Sequence, residues 1–232
     1  MRKAAFLQLL VLTLSCVLGS TALAFSWADV SNQDAVAGLK SALSSATTKA
    51  VEALGAQNGY LGNPKVKIPL PKYLDNARSV LNALGMKKQL KELEQTMNHA
   101  AEQAVVEAKP MFVNAIKSMS VQDAKGIISG GQDSGTQFFR TKTSDTLKLK
   151  FLPVVKKTTD KLGLAQQYNA LAEKGAALGV VKGDQTSVEA YVTQKALDGL
   201  FVMVADEEKA IRADPIGKGT DIVKKVFGAL GK

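Results

Sequence analysis

Apolar residues recur along this chain at three- and four-residue steps almost from end to end, the spacing of helices rather than strands. Val36, Leu39, Leu43, Val51 and Leu54 define a first face, with Asp34 as the expected N-cap and Gly55 as the expected stop. Residues 72–84 predict a helix that turns Leu74, Val80, Leu81 and Leu84 inward and ends at Gly85. The longest periodic run follows: Met86, Leu90, Leu93, Met97, Ala101, Ala104 and Val105, with Lys87, Lys91, Glu94 and Glu102 on the polar side. Pro110 is expected to kink or divide it. Ser120, three residues before Asp123, reads as a capping box opening a short helix. Further helices are expected from Phe138 onward, with a disruption at Pro153, over "AQQYNALAEKGAALG", over residues 187–204 and their extension "DEEKAIRAD" up to Pro215, and over residues 221–230.

One stretch breaks the pattern. "NGYLGNPKVKIPLPKYL" carries Pro64, Pro69 and Pro71, and residues 65–68 alternate polar and apolar. It predicts an extended strap that lays Val66, Ile68 and Leu70 on the helical core, or half of a hairpin with Tyr60 and Leu61 opposite. Ile68 and Leu70 are also the candidate contact for a partner protein. The expected fold is therefore all-α: an irregular multi-helix bundle with one short extended Pro-rich segment.

"GGQDSGTQFFRTKT" holds three glycines before a helix, the raw material of an anion cradle. It lacks the G-K-[ST] ending and the preceding strand of a phosphate loop, and Asp133 would repel an anion. A turn between helices is the better reading. His99, the single histidine, stands three residues before Glu102 and beside it on a helix. One H-x-x-E supplies two metal ligands at most, short of a zinc site, and paired E-x-x-H motifs are impossible with one histidine. No G-x-S-x-G motif is present. Glu208 and Arg212, four apart, should pair.

The N-terminus changes the setting. Arg2 and Lys3 precede an uncharged apolar run, and "TALA" offers an A-x-A site, so cleavage after Ala24 is expected and residues 1–24 form a signal peptide. Residues 25–232 then form a single helical domain. A lipoprotein through Cys16 fits less well, because the leucine of "LTLSC" stands at the wrong distance from the cysteine. Cleavage removes 24 residues, two of them basic, so the net charge falls from +9 to +7 over 208 residues. No cysteine remains, which excludes disulfides and thiol chemistry. A basic exported protein is expected to meet anionic lipid or an acidic envelope polymer rather than nucleic acid.

Several phrases taken together, "KIPLP", "MNHAAEQA", "AIKSMSVQDAKGIISGG", "TQFFRTKTSDTLKLKFLPVV", "QYNAL" and "DGLFVMVADEEKAIRADP", resemble a bacterial exported family, domain of unknown function 4197, over about residues 38–228. The resemblance implies an all-helical protein with a signal peptide and carries over no catalytic residue. The family pattern has arginine where this chain has His99, which shifts interest to Asn98 and Glu102.

The resulting expectation is a periplasmic binding or envelope-interaction module for an amphiphile, an anionic surface or a partner protein, with no cofactor and no metal. Asn98, Glu102, Arg140, Tyr168, Asn169 and Arg212 are the candidate ligand-binding residues. Arg140 and Arg212 would hold an anionic head group, Tyr168 and Asn169 would orient it, and Glu102 would fix an arginine. The rival arrangement is a buried polar network between helices. The alternative functions are an enzyme using Glu102 or Asp123 as base, metal-dependent or not, and a structural subunit of an envelope complex.

Overall fold

The computed structural model describes residues 32–161, 163–177 and 187–214. The expected signal peptide, the turn near residues 179–184, Pro215 and the closing helix at 221–230 lie outside them. Nine helices and no strand occur among the described residues: α1 (Asn32–Gly55), α2 (Lys72–Asn76), α3 (Arg78–Ala83), α4 (Lys87–Val105), α5 (Ala108–Ser118), α6 (Val121–Ser129), α7 (Ser134–Lys161), α8 (Leu164–Ala177) and α9 (Val188–Ala213). The all-α expectation holds.

Local chemistry explains most of the boundaries. Asp34 lies inside the first turn of α1 rather than at its cap, where its charge still favours the positive end of the helix. The helix expected over residues 72–84 is divided at Ala77, yet Leu74, Ala77 and Leu81 keep one helical period and share the buried face. Of the four residues expected inward, Leu74 and Leu81 are buried, while Val80 and Leu84 are exposed. Gly85 ends α3 at φ 79°, a conformation that glycine adopts without strain. The long periodic run breaks at Val106 and Glu107, so Pro110 falls in the first turn of α5, where its missing N–H is not needed. Ser120 and Asp123 form the expected capping box. Pro153, by contrast, does not interrupt α7. The carbonyl of Leu149, four residues back, loses its helical donor on the exposed face.

Helix α9 is the centre. It packs against α1, α4 and α7, and its buried residues from Val188 to Ile211 occupy more than one face. Phe201 on α9 meets Phe112 of α5, which in turn meets Phe139 of α7 at a centroid distance of 5.0 Å. Gly199 lets the strap come close: a Cβ there would stand 2.8 Å from Tyr60 Cε1 and 3.1 Å from Val66 Cβ.

The strap does what its alternation predicts, without a hairpin. Val66, Ile68 and Leu70 are buried, and Tyr60 and Leu61 lie in turns rather than in a paired strand. Side chains of α4 take the place of a neighbouring strand. Asn98 Oδ1 accepts the Ile68 amide at 2.8 Å, and Asn98 Nδ2 donates to the Ile68 carbonyl at 2.9 Å. One helical turn on, Glu102 Oε1 accepts the amides of Tyr60 and Leu61 at 3.1 and 3.2 Å. Glu102 is thus buried, not on the polar side of its helix. Tyr60, fully enclosed, donates its hydroxyl to the Ala196 carbonyl at 2.7 Å.

The glycine-rich turn does form an anion site, and the protein's own Glu208 fills it. The amides of Gly135 and Thr136, at the start of α7, donate to Glu208 at 2.9 and 2.8 Å, and the Thr136 hydroxyl adds a bond of 2.7 Å. Arg212 Nη2 lies 2.8 Å from the same carboxylate and also donates to the Ile127 carbonyl and to Ser134 Oγ. A Cβ on Gly135 would stand 2.5 Å from Leu43 Cδ2 and 3.0 Å from Glu208 Oε1, so the glycine is what permits the approach.

Two outcomes follow. Glu208→Ala removes the carboxylate that Arg212 and two helix amides share, and should lower stability by about 3–5 kcal/mol in urea melts. Glu208→Gln, which keeps a carbonyl oxygen, should lose less. Burial first, and the Glu102 charge second, push the Tyr60 hydroxyl well above the usual phenol range. In the unfolded chain it ionises near pH 10, so folded stability should fall as pH rises above about 10. Tyr60→Phe should reduce that alkaline loss while weakening the protein by about 1 kcal/mol at neutral pH. Melts at neutral and alkaline pH measure both; an unchanged alkaline loss would exclude Tyr60 as its source.

Candidate functional site

The six candidate ligand residues do not converge. Asn98 and Glu102 bind the strap's backbone, and Glu102 Oε2 also meets His99 Nδ1 at 2.8 Å, so no arginine is fixed there. Arg212 belongs to the Glu208 joint at the other end of the molecule's long helices. Arg140 lies over the Phe201 ring, 4.6 Å from its centroid, a cation–π contact. Phe201 and Arg212 are roughly 16 Å apart along α9 at the helical rise, so the two arginines cannot grip one head group. Tyr168 is buried on α8 with its ring edge-on to Tyr73 at 5.9 Å. Burial, then Glu189 and Tyr191, raise its pKa. Asn169, next to it, is exposed.

Neither carboxylate considered as a base is placed for that work. Both oxygens of Glu102 are engaged. Asp123 is the reciprocal partner of the Ser120 cap, and the hydrogen bonds from Ser120 lower its pKa. The side chains of Ile68 and Leu70, expected as a partner contact, are 1% and 2% exposed and fill the core instead. Among the described residues no cluster of three His, Cys, Asp or Glu side chains is placed to hold a metal.

The exposed chemistry lies elsewhere. On α7, Leu147, Phe151 and Val155 point inward, but Leu149 is 74% exposed and Leu152 40% exposed. The two are three residues apart and adjacent on the outer face. Lys148, Lys150 and Lys156 surround them, all exposed, and none forms an ion pair with a described residue. Pro153 continues the apolar strip. The helical period of the sequence does not single out these two outward leucines. The available signal was "KLKFLP", where apolar residues exceed what one face of a helix accommodates. No helix among the described residues is long and apolar enough to cross a membrane.

A pair of substitutions separates scaffold from surface. Asn98→Ala removes three hydrogen bonds, two of them buried, and leaves the strap's Ile68 amide and carbonyl unmatched. It should cost about 2–4 kcal/mol. Asn169→Ala, at an exposed position, should stay within about 0.5 kcal/mol. Thermal melts compare them directly.

No curated protein and no solved structure matches this chain. A family model does, described as "Protein of unknown function (DUF4197)", and it covers residues 29–228. That span includes every described helix, the strap and both polar joints, and on this breadth of agreement the chain belongs to the family of unknown function DUF4197.

Proposed function

We propose that this protein is an exported envelope-interaction module that docks on anionic lipid surfaces through the outer face of α7. The observation that carries the reading is the exposure of Leu149 and Leu152 within a ring of lysines that lack ion pairs with the described residues. An exposed leucine alone is ordinary; two adjacent ones framed by lysines that have no ion pair among the described residues match the interface between acyl chains and anionic head groups. The signal-peptide pattern and the basic balance of the whole chain support the same setting.

The magnitudes describe a reversible contact. A lysine near an anionic membrane surface contributes about 1 kcal/mol, so Lys148, Lys150 and Lys156 together supply roughly 3 kcal/mol. Inserting two partly exposed leucines adds about 1.5 kcal/mol each. The sum is similar to one weak lipid anchor and far from the permanence of a spanning helix. Salt should weaken the lysine share and leave the leucine share in place.

Co-sedimentation of the mature protein with vesicles of phosphatidylglycerol and phosphatidylcholine tests this. Binding should require the anionic lipid and fall as salt rises. Leu149→Ser with Leu152→Ser should weaken it by about tenfold or more with an unchanged helical spectrum. Binding that ignores lipid charge, or that survives the double substitution, would remove α7 as the docking face. Size-exclusion measurements on the same variants show whether a second copy of the chain covers those leucines instead.

A further inference from the structure

Where α1 ends, it borders a cleft with α4 and the C-terminal half of α7, about 760 Å³ in volume. Small-molecule sites have this size. The titratable groups facing it are His99, Glu102 and Glu107 from the α4 side and Lys157 and Lys161 from α7. Val106 and Val154 supply a short apolar strip between the two walls. Thr158 donates to Gln103 Oε1 at 3.0 Å and ties the walls together.

His99 is held in one orientation. Glu102 Oε1 is taken by the strap amides, and Oε2 meets His99 Nδ1 at 2.8 Å. An ionised carboxylate only accepts, so Nδ1 carries a proton, and Nε2 is the nitrogen left for the cleft, where it donates to an anion once it is protonated as well. The Glu102 side chain is 7% exposed and that of His99 38%. A buried carboxylate that fixes the tautomer of a half-exposed imidazole is the arrangement that aims a histidine at a ligand. Anchoring the strap requires only the other oxygen.

The opposite wall is cationic. Lys157 and Lys161 are one turn apart and therefore side by side, and neither forms an ion pair with a described residue. Glu107 likewise has no ion pair among them, and it is the carboxylate left over once Glu102 is engaged. Two lysines and an oriented imidazole suit a phosphate group, with its several acceptor oxygens. A carboxylate in the same cleft suits an ammonium group on the same ligand.

We propose that this cleft binds an aminoalkyl phosphate. Lys157, Lys161 and Nε2–H of the His99 imidazolium donate to the phosphate, and Glu107 takes the amine. The compound is either a free phosphomonoester or the head group of a lipid. The site does not require docking through the outer face of α7, which uses Leu149, Leu152 and other lysines.

The chain has one histidine, so its imidazole resonances report on the cleft alone. The mature protein is titrated with phosphoethanolamine, inorganic phosphate and chloride at matched ionic strength, with calorimetry alongside. Phosphoethanolamine should shift the His99 ring saturably. Lys157→Gln with Lys161→Gln should raise its Kd by about tenfold or more. His99→Asn, whose amide can still donate to Glu102, should weaken binding in calorimetry. Glu107→Gln should weaken phosphoethanolamine but not inorganic phosphate, a split that general charge loss would not produce. A response linear in salt and equal for chloride would overturn the proposal, as would an unchanged Kd in the double lysine variant. If free phosphoethanolamine is silent, vesicles of phosphatidylethanolamine distinguish the source. A His99 shift that persists with them in the Leu149→Ser, Leu152→Ser variant identifies the ligand as a lipid head group. A shift lost in that variant belongs to surface docking, and the cleft site falls.

Discussion

Backbone that leaves a helix can cross a packed interior only if its amides find acceptors there, because a buried unmatched N–H costs about 1–3 kcal/mol. This protein meets that constraint with three side chains on two helices. Asn98 presents its carboxamide to Ile68 as a strand neighbour would, giving and taking one hydrogen bond. Glu102 receives the two amides that precede the strap, and Glu208 receives the first open amides of α7. Each sits on a long helix packed through its apolar face, which fixes the position of the acceptor.

The two carboxylates solve the problem differently. Glu208 is balanced by Arg212, which also reaches the end of α6, so a single ion pair joins α6, α7 and α9. Such a pair is retained more for the arrangement it specifies than for net stability, since removing both charges need not cost much. Glu102 has no arginine. Its charge is shared by backbone amides and by His99, and that sharing leaves the imidazole at the edge of an open cleft. One joint is closed to solvent and structural; the other has one side within reach of a ligand. The long helix α7 connects them, with its first turn at Glu208, its middle carrying exposed leucines and lysines, and its last turns forming a wall of the cleft.

Polar residues in quotable phrases attract attention in a bare sequence, and here three of them hold the backbone of other segments. Asn98, Glu102 and Arg212 read as ligand candidates because they stand in the phrases that carry the family resemblance, with a buried polar network as the rival arrangement. No local pattern reveals those backbone partners. The exposed leucines of α7 pose the opposite problem: a leucine in a helical run is assigned to the core by default, and only the packing of α4, α5 and α9 around α7 shows that Leu149 and Leu152 are left exposed.

Helical periodicity by itself determined the fold class and most helices, because a 3.6-residue repeat of apolar positions has one common solution in water. Proline placement determined that residues 64–71 are not helical, the Ser120 and Asp123 spacing determined a cap, and the pairing of Glu208 with Arg212 follows from one turn of helix. Tertiary structure alone decided the rest. It divided the helix at Ala77, kept α7 continuous through Pro153, replaced a hairpin partner by Asn98, and filled a glycine-rich anion cradle with Glu208. These outcomes rest on contacts between residues tens of positions apart, whose energies depend on distance in space and leave no period along the chain.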